Sequence, residues 1–289
     1  MIYNKTKGIV YIILSAFFFS FMNLFVRLAG NLPALEKSFF RNAVALVFAA
    51  AILLKKRQPF RWTSRSNLRV LVIRSLFGTL GIIFNFYSVD HLVFSDASML
   101  NKLSPFFVLV FSFFFLGEKL RFSQALPVVL AFAGSLFIIK PSFDNAALFA
   151  SVVGFLGGLT AGAAYTAVRY LGQHGENGSF IVFFFSAFSC LVTLPFVTVF
   201  YQPMTLVQLA MLLCAGLAAA GGQFCITAAY RNAPAREISV YDYTQIVFAA
   251  GLGFAVFGQM PDSLSVMGYL VIVGMGVLVF FGDKKHRDG

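Results

Sequence analysis

The chain has 289 residues, of which 59% are hydrophobic and only 11% are charged, and its formal net charge is +11. A soluble domain is nearer half apolar and about a quarter charged, so this chain has too few charges to coat a surface that faces water. The 38 phenylalanines suit helices that face lipid and would promote aggregation in water. The composition therefore excludes an ordinary soluble enzyme or binding domain and predicts an integral membrane protein.

Ten apolar runs follow one another along the chain. Each is close to the length of about 20 residues that a helix needs to cross a bilayer. The first five runs cover residues 8–28, 35–54, 68–89, 94–116 and 122–139. The second five cover residues 146–170, 179–201, 206–230, 238–257 and 264–282. The sequence thus predicts an all-α integral membrane protein with ten transmembrane helices, five in residues 1–142 and five in residues 143–289.

The basic residues cluster in short stretches between the apolar runs, most densely at residues 55–69. A cytoplasmic N-terminus places this stretch and Arg231 on the cytoplasmic face, and it places Asp90 and Asp262 on the opposite face. This bias follows the positive-inside pattern, so we expect a multi-pass protein of the cell inner membrane with both termini in the cytoplasm. No basic face alternates with aromatic residues that could stack on bases, so we expect no nucleic-acid partner.

An odd number of spans in each half gives the two halves opposite orientations in the membrane, as in many secondary transporters. A short motif also recurs between the halves. Segment 115–119 (FLGEK) lies between the fourth and fifth runs, and segment 256–260 (VFGQM) lies at the equivalent place between the ninth and tenth. Chance is unlikely to place both segments at equivalent positions, so the sequence predicts an internal duplication.

With segment 96–105, segment 139–141 (IKP) and Arg41, these motifs make the sequence similar to the drug/metabolite transporter superfamily. Within that superfamily it resembles the ten-span EamA branch, and the resemblance covers essentially the whole chain. In the second half Gln259 stands where the first half has Glu118, and no proline matches Pro105. A role for the glutamate is therefore not carried over to the second half.

The resemblance implies two inverted five-helix repeats, at residues 1–142 and 143–289, around a central cavity. It also implies alternating access and the transport of a small organic metabolite. The expected partners are that metabolite and the lipid bilayer. We expect no cofactor, and we expect the protein to be a monomer or a homodimer.

Polar side chains inside the apolar runs indicate a path through the protein, because a charge at mid-bilayer costs roughly 2.5–3.5 kcal/mol. We predict that the substrate path is lined by Asn85, Asn101, Tyr165, Gln223, Tyr241, Asp242 and Gln245. A second group is assigned to gating or structural charges, namely Arg41, Arg74, Asp96, Lys102 and Glu237. Arg41 and Arg74 could close opposite gates, or they could pair with Asp96 and Asp242 and fix helix packing.

Small residues and a proline suggest how the helices pack. Gly154, Gly158 and Gly162 recur every fourth residue in the sixth run, which gives a smooth stripe for the close approach of another helix. The same stripe could let a neighbouring helix slide, although static packing is the simpler interpretation. Pro105 lacks an N–H group, so we expect it to bend the fourth run and to expose a carbonyl oxygen.

No catalytic or metal site is expected, because His91 and His174 fall in loops on opposite sides of the membrane and His286 lies in the tail. No phosphate-binding loop is present either. The mixed charges of the interior favour an amphipathic or zwitterionic solute that resembles an amino acid. The resemblance to the family implies export as the expected direction. The alternative is a membrane protein that transports nothing, such as an intramembrane lipid-modifying enzyme or a scaffold. A channel is disfavoured because no ring of repeated charges or filter-like loop is evident.

Overall fold

The computed structural model describes residues 4–117, 122–139, 145–233, 238 and 241–285. Within these residues the regular secondary structure is entirely helical. The helices, in chain order, are α1 (Lys5–Leu28), α2 (Ala34–Lys55), α3 (Arg65–His91), α4 (Phe94–Asn101), α5 (Ser104–Leu116), α6 (Phe122–Ile139), α7 (Asn145–Gln173), α8 (Gly178–Val199), α9 (Leu206–Asn232), α10 (Thr244–Phe257) and α11 (Ser263–Lys285).

The expectation of an all-helical membrane protein is confirmed for this part of the chain. Seven helical segments are long and apolar enough to cross a membrane, with α4 and α5 counted together. Three shorter apolar helices, at Leu126–Ile138, Thr244–Phe257 and Ser263–Leu278, fall where the fifth, ninth and tenth spans are expected. Length and composition alone therefore support seven spans among the described residues.

The fourth apolar run is interrupted where α4 ends and α5 begins. Lys102 and Leu103 lie between the two helices, and Pro105 is the second residue of α5. The chain forms a tight turn at this break, with hydrogen bonds between residues three apart. The N–H of Lys102 donates to Met99 O at 2.9 Å, and that of Leu103 donates to Leu100 O at 3.2 Å. Because proline has no N–H to continue the helical ladder, a tight turn at this point costs little.

A similar element occurs in the second half, where the 14-residue α10 begins directly after Tyr243. α5 has 13 residues. Each of these short helices ends at a glycine in the left-handed conformation, Gly117 with φ 65° and Gly258 with φ 62°. Glycine pays no steric penalty there, so it stops each helix sharply. The side chain of Gln259 then accepts a hydrogen bond from Phe94 N at 3.1 Å and holds the start of α4.

The largest helix–helix interfaces join the first half of the chain to the second. α1 packs on α9, α3 on α7, α2 on α8, and α6 on α11. The main hydrophobic core is formed by buried side chains of these paired helices, such as Ile12 and Phe86 from the first half and Leu171 and Ile226 from the second. The halves are therefore interleaved, and a space at the centre of the bundle is walled by both.

The glycine stripe of α7 lies against the break between α4 and α5. A Cβ atom added at Gly158 would lie 2.5 Å from Leu100 O, and one at Gly154 would lie 3.0 Å from a methyl of the same leucine. At Gly162 the added atom would overlap Phe107. Any larger residue at these positions would push α7 away, so the stripe allows helix and break to pack closely.

Candidate functional site

A cavity of about 50 Å³ lies at the centre of the bundle, and seven helices as well as the broken fourth span contribute to its wall. Its polar lining consists of Asn23, Arg41, Arg74, Asn85, Asn101, Tyr165, Gln223 and Gln245. Pockets that hold drug-sized ligands have volumes of roughly 300–1,000 Å³. The cavity therefore has room for a few water molecules or one small polar group.

Arg74 of α3 projects into this cavity and is held on two sides. Its side chain is only 1% exposed, and Nη2 donates a hydrogen bond to Gln223 Oε1 of α9 at 2.9 Å. The guanidinium carbon lies 3.6 Å from the centre of the Phe185 ring, which is close enough for a cation–π interaction. Gly78 leaves the space for this arrangement, since a Cβ there would lie 2.6 Å from Arg74 Nη1.

Arg41 of α2 reaches the same ring, with its guanidinium carbon 5.8 Å from the centre of Phe185. Arg41 is fully buried, and Nη1 donates a hydrogen bond to Asn42 Oδ1. Asn42 is fixed in turn, because Nδ2 donates to Ser189 Oγ of α8 at 2.8 Å. The two arginines therefore approach the same aromatic ring from α2 and α3.

The arginines also lack the carboxylate partners that the packing alternative assigns to them. Asp242 pairs with Lys102, with 2.7 Å between Oδ1 and Nζ, and both side chains are almost completely buried. Asp96 accepts a hydrogen bond from the hydroxyl of Tyr269. The pairings of Arg41 with Asp96 and of Arg74 with Asp242 are therefore not the ones that this structure contains.

Amide side chains cover another part of the wall. Asn85 Nδ2 donates to Asn23 Oδ1 at 2.9 Å, which links α3 to α1. Asn85 Oδ1 and Gln245 Oε1 are buried and have no hydrogen-bond partner within the described part of the chain. Both oxygens are acceptors, so this region of the wall can receive N–H or O–H groups.

Tyr165 of α7 completes the polar wall, and its ring stacks on Tyr230 with 5.3 Å between the ring centres. Of the seven residues predicted for the substrate path, five line the cavity, namely Asn85, Asn101, Tyr165, Gln223 and Gln245. Tyr241 and Asp242 are not part of its lining, and Asp242 is engaged by Lys102. Glu237 lies outside the described residues.

Sequence reasoning overlooked two residues of this site. Asn23 is an amide inside the first apolar run, so the rule that selects Asn85 and Asn101 also applies to it. Phe185 could not have been found in this way, because it is one of 38 phenylalanines and nothing in its spacing distinguishes it. Its role depends on the two arginines that reach it from α2 and α3.

Comparisons with known proteins are consistent with this geometry. The profile of the EamA-like transporter family matches residues 6–140 and, a second time, residues 148–281. The pseudopaline exporter CntI of Pseudomonas aeruginosa is 35% identical over 270 residues, which cover 92% of this chain and 93% of that protein. The S-adenosylmethionine uptake transporter of Rickettsia bellii is 21% identical over 89% of this chain and 87% of its own length. A solved crystal structure shares the fold with a TM-score of 0.71, 14% identity and coverage of 98% of this chain and 99% of its own.

Proposed function

The chain belongs to the EamA-like transporter family, and from this premise we propose that it is a secondary transporter that exports a small organic metabolite by alternating access. The family and the apolar helices indicate a multi-pass membrane protein that transports a small molecule. We further propose a number of spans, a central site, a direction of transport and a class of metabolite for this protein.

The central cavity is the observation that carries the proposal. Arg41 lies seven residues from the start of α2 and Arg74 nine residues from the start of α3, which corresponds to depths of roughly 10 and 14 Å. In a hydrocarbon core of about 30 Å, both positions belong to the middle of the membrane. Transporters bind their substrates at this depth, between their two repeats.

The helix pairings support a ten-span protein with two inverted repeats. If α6, α10 and α11 are counted as spans, span 1 packs on span 8 and span 3 packs on span 6. Exchanging the two repeats converts each of these pairs into the other. Spans 2 and 7 pair with each other, as do spans 5 and 10, and the exchange leaves these pairs unchanged. The matching breaks and glycine ends of the fourth and ninth spans follow the same symmetry.

Alternating access requires that contacts between the halves open at one end while those at the other end hold. At one end, Gln208 Nε2 of α9 donates to Ala29 O at 3.1 Å, close to the contact between Phe94 and Gln259. At the opposite end, Asn67 Nδ2 of α3 donates to Glu176 Oε2 at 3.0 Å. At each end these hydrogen bonds join the two halves, and they must break for that end to open.

In our proposal, which the loop charges support, the end that contains Asn67 faces the cytoplasm and the end that contains Ala29 faces outward. For the direction of transport we give most weight to the relative at 35% identity, which is named an exporter, over the uptake transporter at 21%. The amide and guanidinium lining suits a polar solute derived from an amino acid. We propose such a metabolite as the cargo.

Flux through reconstituted protein tests this proposal. Purified protein is placed in liposomes loaded with a library of amino acids and N-substituted amino acids, and efflux is followed by mass spectrometry against protein-free liposomes. We expect selected solutes to leave faster, and we expect Asn101→Ala with Gln245→Ala to abolish the difference. Failure of every solute to exceed the protein-free rate would refute the transporter proposal.

A further inference from the structure

Several guanidinium N–H groups at the cavity have no hydrogen-bond partner in the surrounding described protein. Arg41 and Arg74 are 0% and 1% exposed. Nε and Nη2 of Arg41, and Nε and Nη1 of Arg74, are buried without a hydrogen-bond partner among the residues that the structure describes. Buried donors in proteins nearly always have partners, so these unpartnered donors need an explanation, and a ligand in the cavity would supply their partners.

No negative charge of the described wall balances these two cations. The charged residues among the lining are the two arginines, and the rest of the polar lining consists of amides and one tyrosine. The nearby carboxylate of Asp242 is held by Lys102 at 2.7 Å, so this pair is neutral as a unit. The cavity therefore carries an uncompensated positive charge within a low-dielectric region, where the attraction of an anion is strong.

The guanidinium groups are held in place before any ligand binds. Arg74 is fixed by Gln223 and by the ring of Phe185. Arg41 is fixed by Asn42, which bonds to Ser189 on α8. The planar N–H donors of a guanidinium group match the two oxygens of a carboxylate. Because the group is already ordered before the ligand binds, the entropic cost of binding is lower.

We infer that Arg41 and Arg74 together form the receptor for a carboxylate group of the transported metabolite, which is an amino-acid derivative. This inference rests on the proposed transport function and names the chemical class that the site takes. The carboxylate bridges the two guanidinium groups beside Phe185 and neutralises part of their charge. The free oxygens of Asn85 and Gln245 accept hydrogen bonds from the amine of the same molecule.

Matched pairs of acids and amides provide the direct test. Thermal unfolding of the purified protein in detergent is measured with amino acids and N-carboxyalkyl amino acids, each beside its primary amide, and with phosphoethanolamine as a phosphate probe. We expect stabilisation by a subset of the acids. We expect binding about 10- to 100-fold weaker for the amide of each stabilising acid, because a charge-assisted hydrogen bond is lost.

Substitutions then separate a ligand-binding role from a structural one. Arg41→Gln and Arg74→Gln should each reduce the preference for acid over amide at least tenfold, and Arg74→Lys should reduce it less, because the charge remains. Arg27→Gln is the matched control. Arg27 is a partly buried arginine that donates to Leu92 O at 2.9 Å outside the cavity, so its loss should leave the preference unchanged.

Equal binding of acids and amides overturns the inference, as does an acid preference that survives both glutamine variants. The inference is also overturned if phosphoethanolamine stabilises the protein and the acids do not, or if none of the acids stabilises it. If a glutamine variant fails to fold, the acid–amide comparison in the unaltered protein and the Arg74→Lys variant still decide the question. Liposome efflux of neutral or cationic solutes would refute the carboxylate receptor and leave the transporter intact, whereas absence of any efflux would refute the transporter itself.

Discussion

The buried lysines and the buried arginines of this bundle have different kinds of partner. Lys37 and Lys102 each contact an aspartate at 2.7 Å, Asp90 in one case and Asp242 in the other. Arg41 and Arg74 instead contact amide oxygens and share the ring of Phe185. All four cations are almost completely inaccessible to solvent, so the difference lies in their partners and not in their burial.

These partners indicate two roles: the paired lysines hold helices together, and the arginines are available to bind a ligand. Attraction to the aspartate offsets part of the free energy that is lost when a buried lysine leaves water. An arginine at mid-membrane without a carboxylate partner retains a cost of roughly 2.5–3.5 kcal/mol. A sequence that carries two such residues side by side accepts lower stability at that place. Functional sites commonly show this compromise between stability and activity.

The largest effect is expected when one lysine of a buried pair is removed. Lys102→Met leaves Asp242 without its partner between the two broken spans, and we expect a loss of about 3–5 kcal/mol of stability. Thermal unfolding in detergent measures this loss. The double variant Lys102→Met/Asp242→Leu removes both charges and should recover most of it, since an apolar pair of similar size replaces the ion pair.

Lys37→Met is the matched control for this experiment. Its partner Asp90 has a side chain that is 20% exposed, so water can solvate the carboxylate after the lysine is lost. A destabilisation by Lys102→Met no greater than that by Lys37→Met would show that burial of the partner does not set the cost. A double variant as unstable as Lys102→Met would contradict the importance of the pair's charge.

A smaller effect is expected when the backbone that carries Lys102 is displaced. Gly158→Ala places a methyl group 2.5 Å from Leu100 O, directly before the break between α4 and α5. Overpacking of this kind costs about 1–3 kcal/mol, and it should weaken the Lys102–Asp242 pair as well. Thermal unfolding measures this loss of stability in the unaltered protein and in the Lys102→Met/Asp242→Leu variant. We expect Gly158→Ala to destabilise that variant less, because it has no ion pair to disturb.

Gly251→Ala serves as the control for the glycine substitution, because nothing lies within 4 Å of the added Cβ. In a helix interior alanine is favoured over glycine by about 1 kcal/mol, so this variant should be neutral or slightly stabilised. Equal effects of the two substitutions would mean that α7 tolerates a wider separation from the break.

The helical membrane fold could be predicted from the sequence, because hydrophobic runs and loop charges are local signals. The family was also predicted, from short motifs such as the glycine turns at Gly117 and Gly258. The break in the fourth span was visible only as a bend at Pro105, since the tight turn depends on how α7 packs against it.

The partners of the charged residues could not be predicted. Lys102 and Asp242 are 140 residues apart and meet where α4 packs against α10. The sequence indicated that Arg41 and Arg74 were unusual, yet their shared contact with Phe185 exists only in three dimensions. A polar residue in an apolar run can therefore be recognised from sequence, but whether it is paired or kept for a ligand is decided by the packing of distant helices.

The smallest effect is expected at the arginines, and its sign should be the opposite. Arg41→Met replaces an unpaired buried cation with an apolar side chain of similar length and removes its repulsion with Arg74. The hydrogen bond to Asn42 and the distant contact with the Phe185 ring are lost in exchange. We therefore expect the ligand-free protein to unfold at a temperature a few degrees higher, which corresponds to about 1 kcal/mol for a chain of this size. A fall in unfolding temperature like that of Lys102→Met would place Arg41 among the structural charges and remove the distinction between the two kinds of buried cation.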